Sequence, residues 1–349
     1  MADADRSDRS GGLSRQRAGE LRAASAARFG AVAIAAGHYE SYYLKATCPE
    51  GGLGIWIRYT VHKSPGAMPK SFLWLTIFDA SAGVSATKMQ GPAPQADTEG
   101  SYITIGQARF GPDRIVGAAN SAQLDAEWDI SFEGEQAPVL HLPYGWMYRA
   151  AFPRTKVCSP HPAVLLSGTV RAGGRMIDLA GWSGTIGHNW GAVHARRVIW
   201  IHGAGFKNQA DSWLDLAIGR VGLGVLTTPW IANGVLCLEG ERHRLGGLAR
   251  MQSTHVHERP ERCELSLRGD GLALAGEVGA PPQRFVSWLY AQPSGGERQT
   301  VNCSIADMRL RIKRASGPPL ELEAKGTAAY ELQMSERYAA MPIQPFADG

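Results

Sequence analysis

The sequence predicts an all-β protein of two antiparallel β-domains, and three observations carry that prediction. Short extended runs rich in β-branched and aromatic residues recur along most of the chain, separated by Gly, Pro, Asp and Asn. Beyond residue 30 no segment shows the sustained 3.6-residue apolar period that a helix face would leave. The chain's 349 residues exceed what one hydrophobic core commonly supports, which favours two domains, each a barrel or a sandwich, with one large β-domain as the alternative.

Taken in order, residues 1–30 are rich in Arg, Asp, Ser and Ala and read as a flexible tail with helical tendency over Glu20–Arg28. Strands are expected over Tyr39–Ala46, Ile55–His62, Phe72–Asp79, Tyr102–Ile105 and Glu127–Phe132. In the third of these, Phe72, Trp74, Thr76 and Phe78 share one face and Leu73, Leu75 and Ile77 the other. That pattern suits a strand buried on both sides. The Pro-rich stretch Phe152–Pro162 disfavours a central strand and sets the expected division into domains over 31–160 and 161–349. A break nearer 190 is the alternative, because Trp182–Gly191 suits either half. Further strands are expected over Ala163–Val170, Arg175–Trp182, Arg196–Phe206, Trp213–Val221, Trp230–Leu238, Glu264–Leu267, Phe285–Tyr290 and Val301–Lys313. Gly173-Gly174, Gly269-Asp270-Gly271 and Ser294-Gly295-Gly296 mark hairpin turns between them.

Composition excludes several functions. A net charge of +4, with Lys and Arg scattered, gives no basic patch for nucleic acid or an anionic membrane. The 5 cysteines are odd in number, far apart and never CxxC, which argues for a reducing, cytoplasmic setting and against a disulfide framework. The small-residue run Ala31–Ala36 is too short to span a bilayer, so no transmembrane segment is expected. Neither a GxSxG elbow nor a phosphate-binding loop in a βαβ setting is present.

Chemistry concentrates in Trp182–His194 and the strand Val198–His202 behind it. Alternation puts Ile186, His188 and Trp190 on one face with Asn189 opposite, and Val198, Trp200 and His202 on one face of the next strand. His188, His194 and His202 lack the HxH or HExxH spacing that organises a metal site, so neither metal nor other cofactor is expected. His255-Val256-His257 with Glu261 looks like the first metal motif of a cupin, but no later histidine completes it. Near the start, Glu40 alternates with His38, Tyr42 and Leu44. A carboxyl among aromatics inside a barrel has its pKa raised by desolvation, the condition for a general acid at neutral pH. Asp129, between Trp128 and Ile130, is a second such position but reads instead as a rim residue or a partner of Arg or Lys.

The stretches Tyr39-Glu40-Ser41-Tyr42-Tyr43-Leu44-Lys45-Ala46, Ile55-Trp56-Ile57-Arg58-Tyr59-Thr60 and Gly187-His188-Asn189-Trp190-Gly191 to Ile199-Trp200-Ile201-His202 resemble the AttH and hydroxyneurosporene synthase group, related to tocopherol cyclases and certain fungal Diels-Alderases. The resemblance covers nearly the whole chain after residue 30. It implies two lipocalin-like β-barrels with a ligand cavity near their interface, and the hydration or cyclisation of a hydrophobic isoprenoid or polyketide-like molecule. A non-catalytic carrier of a lipophilic ligand is the alternative. On the enzyme reading Glu40, or charged His188, is the acid, and Asn189, His188 or His202 hydrogen-bonds a substrate carbonyl. Trp56, Trp74, Trp190 and Trp200 form the aromatic wall. Tyr42, Tyr59, Trp182 and His194 complete the expected ligand contacts. Oligomeric state is left open, because edge strands cannot be located without a register.

Overall fold

Alternation gives every strand two faces, and in the middle of this chain both faces find cover. The computed structural model describes residues 16–96, 100–220, 222–223 and 226–346. Nine strands build the region of interest: β1 (His38–Thr47), β2 (Leu53–Lys63), β3 (Lys70–Asp79), β4 (Thr155–Ala172), β5 (Trp182–Gly191), β6 (Arg197–Phe206), β7 (Gln209–Arg220), β8 (Glu297–Arg314) and β9 (Leu320–Met334).

Two large antiparallel sheets result. The first runs Gly83–Gly91, β3, β2, β1, β5, β4, Asp125–Glu133, Arg114–Asn120, Ala108–Phe110, Ile103–Ile105 and Gln95–Ala96. The second runs Glu241–Gly246, Ile231–Leu238, β7, β6, β9, β8, Leu272–Gly279, Arg262–Arg268 and His255–Arg259. The first sheet curls until Gly83–Gly91 comes against Arg114–Asn120, where Thr87 Oγ1 donates to Ser121 Oγ at 2.9 Å. Its concave side is filled by Leu44, Ile57, Leu75, Ile130 and Ile186. Tyr59 and Trp182 also lie in this core, Tyr59 donating to Val116 O at 2.7 Å and accepting from Trp128 Nε1 at 2.9 Å. In the second sheet Ile199, Ile201, Leu214, Leu216, Val301 and Leu332 are similarly buried.

Several expectations change here. Residues 16–25 are helical, and Ala24, Ser25 and Phe29 are buried rather than part of a loose tail. The division expected at 160 falls inside β4, and the chain passes from one sheet to the other between Gly191 and Arg197. Pro160 and Pro162 are tolerated in this strand because the β4–β5 ladder shifts register between Cys158 and His161 and again between His161 and Val164. The run Arg175–Trp182 is two strands, a short hairpin return over Arg175–Asp178 and then β5. Asp129 does pair at the surface, with Arg114 at 2.6 Å. Among the described residues no helix is long and apolar enough to cross a membrane.

The outward face of β1–β3 carries Tyr43, Lys45, Trp56, Arg58 and Trp74, and β6, β8 and β9 of the second sheet cover it. Gly187 makes one close approach possible. A Cβ there would stand 1.9 Å from Tyr43 Cζ, so the ring lies directly across β5 at a position no side chain can share. We expect Gly187→Ala to displace Tyr43 and to cost about 1–3 kcal/mol, the range for overpacked cores. Urea denaturation of the two proteins measures it, and an unchanged midpoint would show that the ring has room to move.

Candidate functional site

Glu40 sits on β1, side by side with His188 on β5 across the ladder pair Tyr42–His188. Its carboxylate accepts from the backbone N–H of Arg28 at 2.9 Å and of Phe29 at 2.7 Å, and it faces His188 Nε2 at 2.8 Å and His38 Nε2 at 3.1 Å. Burial raises its pKa, but the hydrogen bonds and charges of His188 and His38 outweigh that and hold it down at about 2. The expectation of a protonated acid at Glu40 is therefore overturned. Four donors convert the desolvated carboxyl into a fixed anion.

His188 is equally committed. Its Nδ1 lies 2.7 Å from Ala24 O and its Nε2 on Glu40, so both ring nitrogens face oxygen acceptors. The ring stacks on Tyr42 at 4.1 Å and on Trp190 at 4.5 Å, and the Arg28 guanidinium covers Trp190 at 5.1 Å. Glu40, Tyr42, His188 and Trp190 thus form one cluster, and it anchors residues 24–29. Asn189 is half-buried on the opposite face, in register with Ser41.

Trp56, Trp74, His194, Trp200 and His202 lie elsewhere, at the join of the two sheets. Trp74 meets Trp288 at 4.7 Å and Tyr290 at 6.0 Å, Tyr43 meets Trp200 edge-on at 5.3 Å, and His194 stacks on Tyr39 at 3.7 Å. His202 Nε2 donates to Pro162 O at 2.9 Å. Burial, then Lys45, pulls the ring down to about 4. It is neutral at pH 7, so its remaining nitrogen can only accept, and the expectation that His202 donates to a substrate carbonyl is corrected.

Four groups that were not foreseen complete the join. Arg58 is buried with Nε on Ser41 Oγ at 3.0 Å and its guanidinium 4.9, 4.9 and 4.4 Å from the rings of Trp56, Trp74 and Tyr290. Glu331 on β9 is in register with Trp200 and Asn302 and accepts from Asn302 Nδ2 at 2.8 Å. Burial pushes its carboxyl up, against the lowering effects of Arg58 and Asn302. Part of its surface stays accessible although its strand neighbours Trp200 and Asn302 are buried. Asp215 accepts Trp200 Nε1 at 3.0 Å and lies 3.4 Å from buried His141 Nε2, which fixes the indole. Lys45, wholly buried, donates to Thr47 Oγ1 and Thr327 O, and desolvation brings its pKa down to about 7. The signal for Arg58 was present in the sequence: a cation in a strand whose two faces are both aromatic or aliphatic.

Glu40, His188 and His202 therefore do not converge. A cleft of about 490 Å³ on the first sheet, lined by residues such as Leu73, Met89, Ile105 and Trp128, touches none of the expected catalytic residues. Among the described residues no group of three His, Cys, Asp or Glu side chains is placed to hold a metal ion.

No family model matches the chain. The uncharacterized protein Rv0493c of Mycobacterium tuberculosis is 27% identical over 316 residues, which cover 84% of this chain and 89% of that protein. Kievitone hydratase from Nectria haematococca superposes with a TM-score of 0.52 at 9% identity, over 86% of this chain and 89% of the hydratase. CghA superposes with a TM-score of 0.52 at 10% identity, over 86% of this chain and 90% of its own. These likenesses are of fold: the chain has two large antiparallel sheets in the tandem lipocalin-like arrangement expected from the sequence.

The depressed pKa of Glu40 has a measurable consequence. A carboxyl held near 2 instead of its ordinary 4.5 contributes stability above the ordinary value and loses it as pH falls toward 2. We expect Glu40→Gln to cost about 3 kcal/mol at pH 7. Denaturation curves should show the gap to wild type closing as the pH is lowered below about 4.5.

Proposed function

We propose that the protein encloses a hydrophobic isoprenoid or polyketide-like molecule between its two sheets and hydrates or cyclises it, with Glu331 as the acid. The observation that supports this most is the Glu331 carboxyl itself, desolvated, held by Asn302 at 2.8 Å, set beside Trp200 and still partly accessible. A carboxyl whose pKa is raised holds its proton to a higher pH than a free one does and can deliver it. The proton passes from Glu331 to the substrate's double bond, or to an oxygen conjugated with it. Water or an internal group of the substrate then adds at the electron-poor carbon, and the proton this addition releases returns to the Glu331 carboxylate. Trp56, Trp74 and Trp200 hold the chain folded, which supplies acceleration through positioning. Asp215 acts through Trp200, so it is a positioning residue. Glu40 and His188 take no part in proton transfer on this reading. The hydratase name carried by a protein of the same fold supports hydration as one of the two outcomes.

Extraction of the purified protein with organic solvent identifies the bound molecule, and incubation of its precursors with wild type and Glu331→Gln tests the chemistry. We expect the variant to retain binding and to lose about 10²- to 10⁴-fold in kcat, the range for a general acid. The wild-type rate should fall as pH rises past the elevated Glu331 pKa, since the protonated form is the active one. Equal turnover by both proteins would remove Glu331 from the mechanism. Recovery of the ligand unchanged from both would leave a non-catalytic carrier.

A further inference from the structure

Polar atoms of both kinds are left over at the join: Asp215 Oδ2 and His202 Nδ1 are acceptors, whereas the donors gather near Trp74. Arg58 Nη1, Trp56 Nε1 and Trp288 Nε1 have no hydrogen-bond partner among the described residues, and all three are donors only. Their neighbour Trp74 is satisfied, its Nε1 donating to Thr60 Oγ1 at 2.9 Å. Two of the groups lie on that indole and Arg58 links it to the third: the Arg58 guanidinium is 4.9 Å from its ring and from that of Trp56, and the Trp288 ring is 4.7 Å away. Trp56, Arg58 and Trp288 are respectively 2%, 4% and 0% exposed, so bulk water does not serve these donors. Two hydroxyls without partners, Thr76 Oγ1 and Thr300 Oγ1, sit in register with Trp56 and Trp288. A second cation reaches the same indole, with Lys88 Nζ 4.0 Å from the Trp74 ring.

Buried donors without acceptors are costly, and nearly all are paired in native proteins. A hydrocarbon ligand would leave every one of these unpaired. We infer that the join binds a hydrophobic molecule bearing an acidic oxygen group, such as a carboxylate or an enolised carbonyl, whose oxygens accept from Arg58, Trp56 and Trp288. This rests on the reading of the join as the ligand site. It also selects between the two proton-transfer routes above. Two cations disfavour a carbocation in their midst, whereas they stabilise negative charge on an oxygen conjugated with the reacting double bond. The substrate class is therefore an acidic or enolisable conjugated carbonyl compound rather than a bare isoprenoid alkene.

The test titrates the full chain with 8-anilinonaphthalene-1-sulfonate and with N-phenyl-1-naphthylamine, which share an arylamine skeleton and differ in the anionic oxygens. Fluorescence reports binding of each. We expect the sulfonate to bind at least about tenfold more tightly, as charge-assisted hydrogen bonds to a buried guanidinium require. Arg58→Met should abolish that preference while leaving the neutral probe's affinity unchanged. Trp288→Phe, which removes one donor and keeps the ring stack, should weaken the sulfonate about threefold. Should Arg58→Met fail to fold, the wild-type comparison and Trp288→Phe decide alone. Equal affinities in wild type, or a preference that survives the variants, would overturn the inference and leave the location of the site standing. Failure of both probes to bind would overturn the location and this inference together.

Discussion

A strand buried on both faces has no solvent side on which to put its polar groups, so each of them must find a partner inside the protein. That constraint falls on β1. All of its residues are buried, with Glu40 and Tyr42 turned into the first sheet and Ser41, Tyr43 and Lys45 turned toward the second. The inward carboxylate is satisfied by the chain that precedes the strand, and the outward amine by a carbonyl on β9. Both halves of the molecule are therefore tied to this one element.

The two apolar interiors are filled by aliphatic and aromatic side chains, which leaves them little chemistry. The polar and charged groups that alternation sends the other way meet where the sheets face each other. Arg58, Glu331, Asp215 and His202 come from four strands, β2 of the first sheet and the consecutive neighbours β9, β6 and β7 of the second. Placing them on strands, not loops, gives the backbone rigidity that positioned groups need. It also keeps them dry enough for charge and hydrogen bonding to act strongly.

Much of this architecture was legible in the sequence because alternation is a local signal. The two-faced burial of β3 could be read directly from Phe72 to Asp79. Other features depend on what lies across the fold. β9 escaped notice because its first half, Leu-Glu-Leu-Glu-Ala-Lys-Gly, has the composition of an exposed helix or loop, and it carries the carboxyl that matters. Glu40 was read with the wrong sign of pKa shift for a related reason. Desolvation can be inferred from neighbouring aromatics, but His188 lies 148 residues away in the chain and the Arg28 and Phe29 amides belong to a segment that looked loose. The prolines of β4 show the same limit, since a register shift is a property of the paired strand.

The bond from Lys45 to Thr327 O closes a separation of 282 residues. During synthesis β1 leaves the ribosome early, finds β2 at once, and then waits for its other edge until β5 is made and for its outer cover until β9 emerges. Contacts of such long range form slowly, because the intervening loop must be closed before they repay its entropy. The groups at the join therefore assemble last, and a nascent chain halted before β9 exposes Trp56, Trp74 and an uncovered sheet face to whatever else is in the cell.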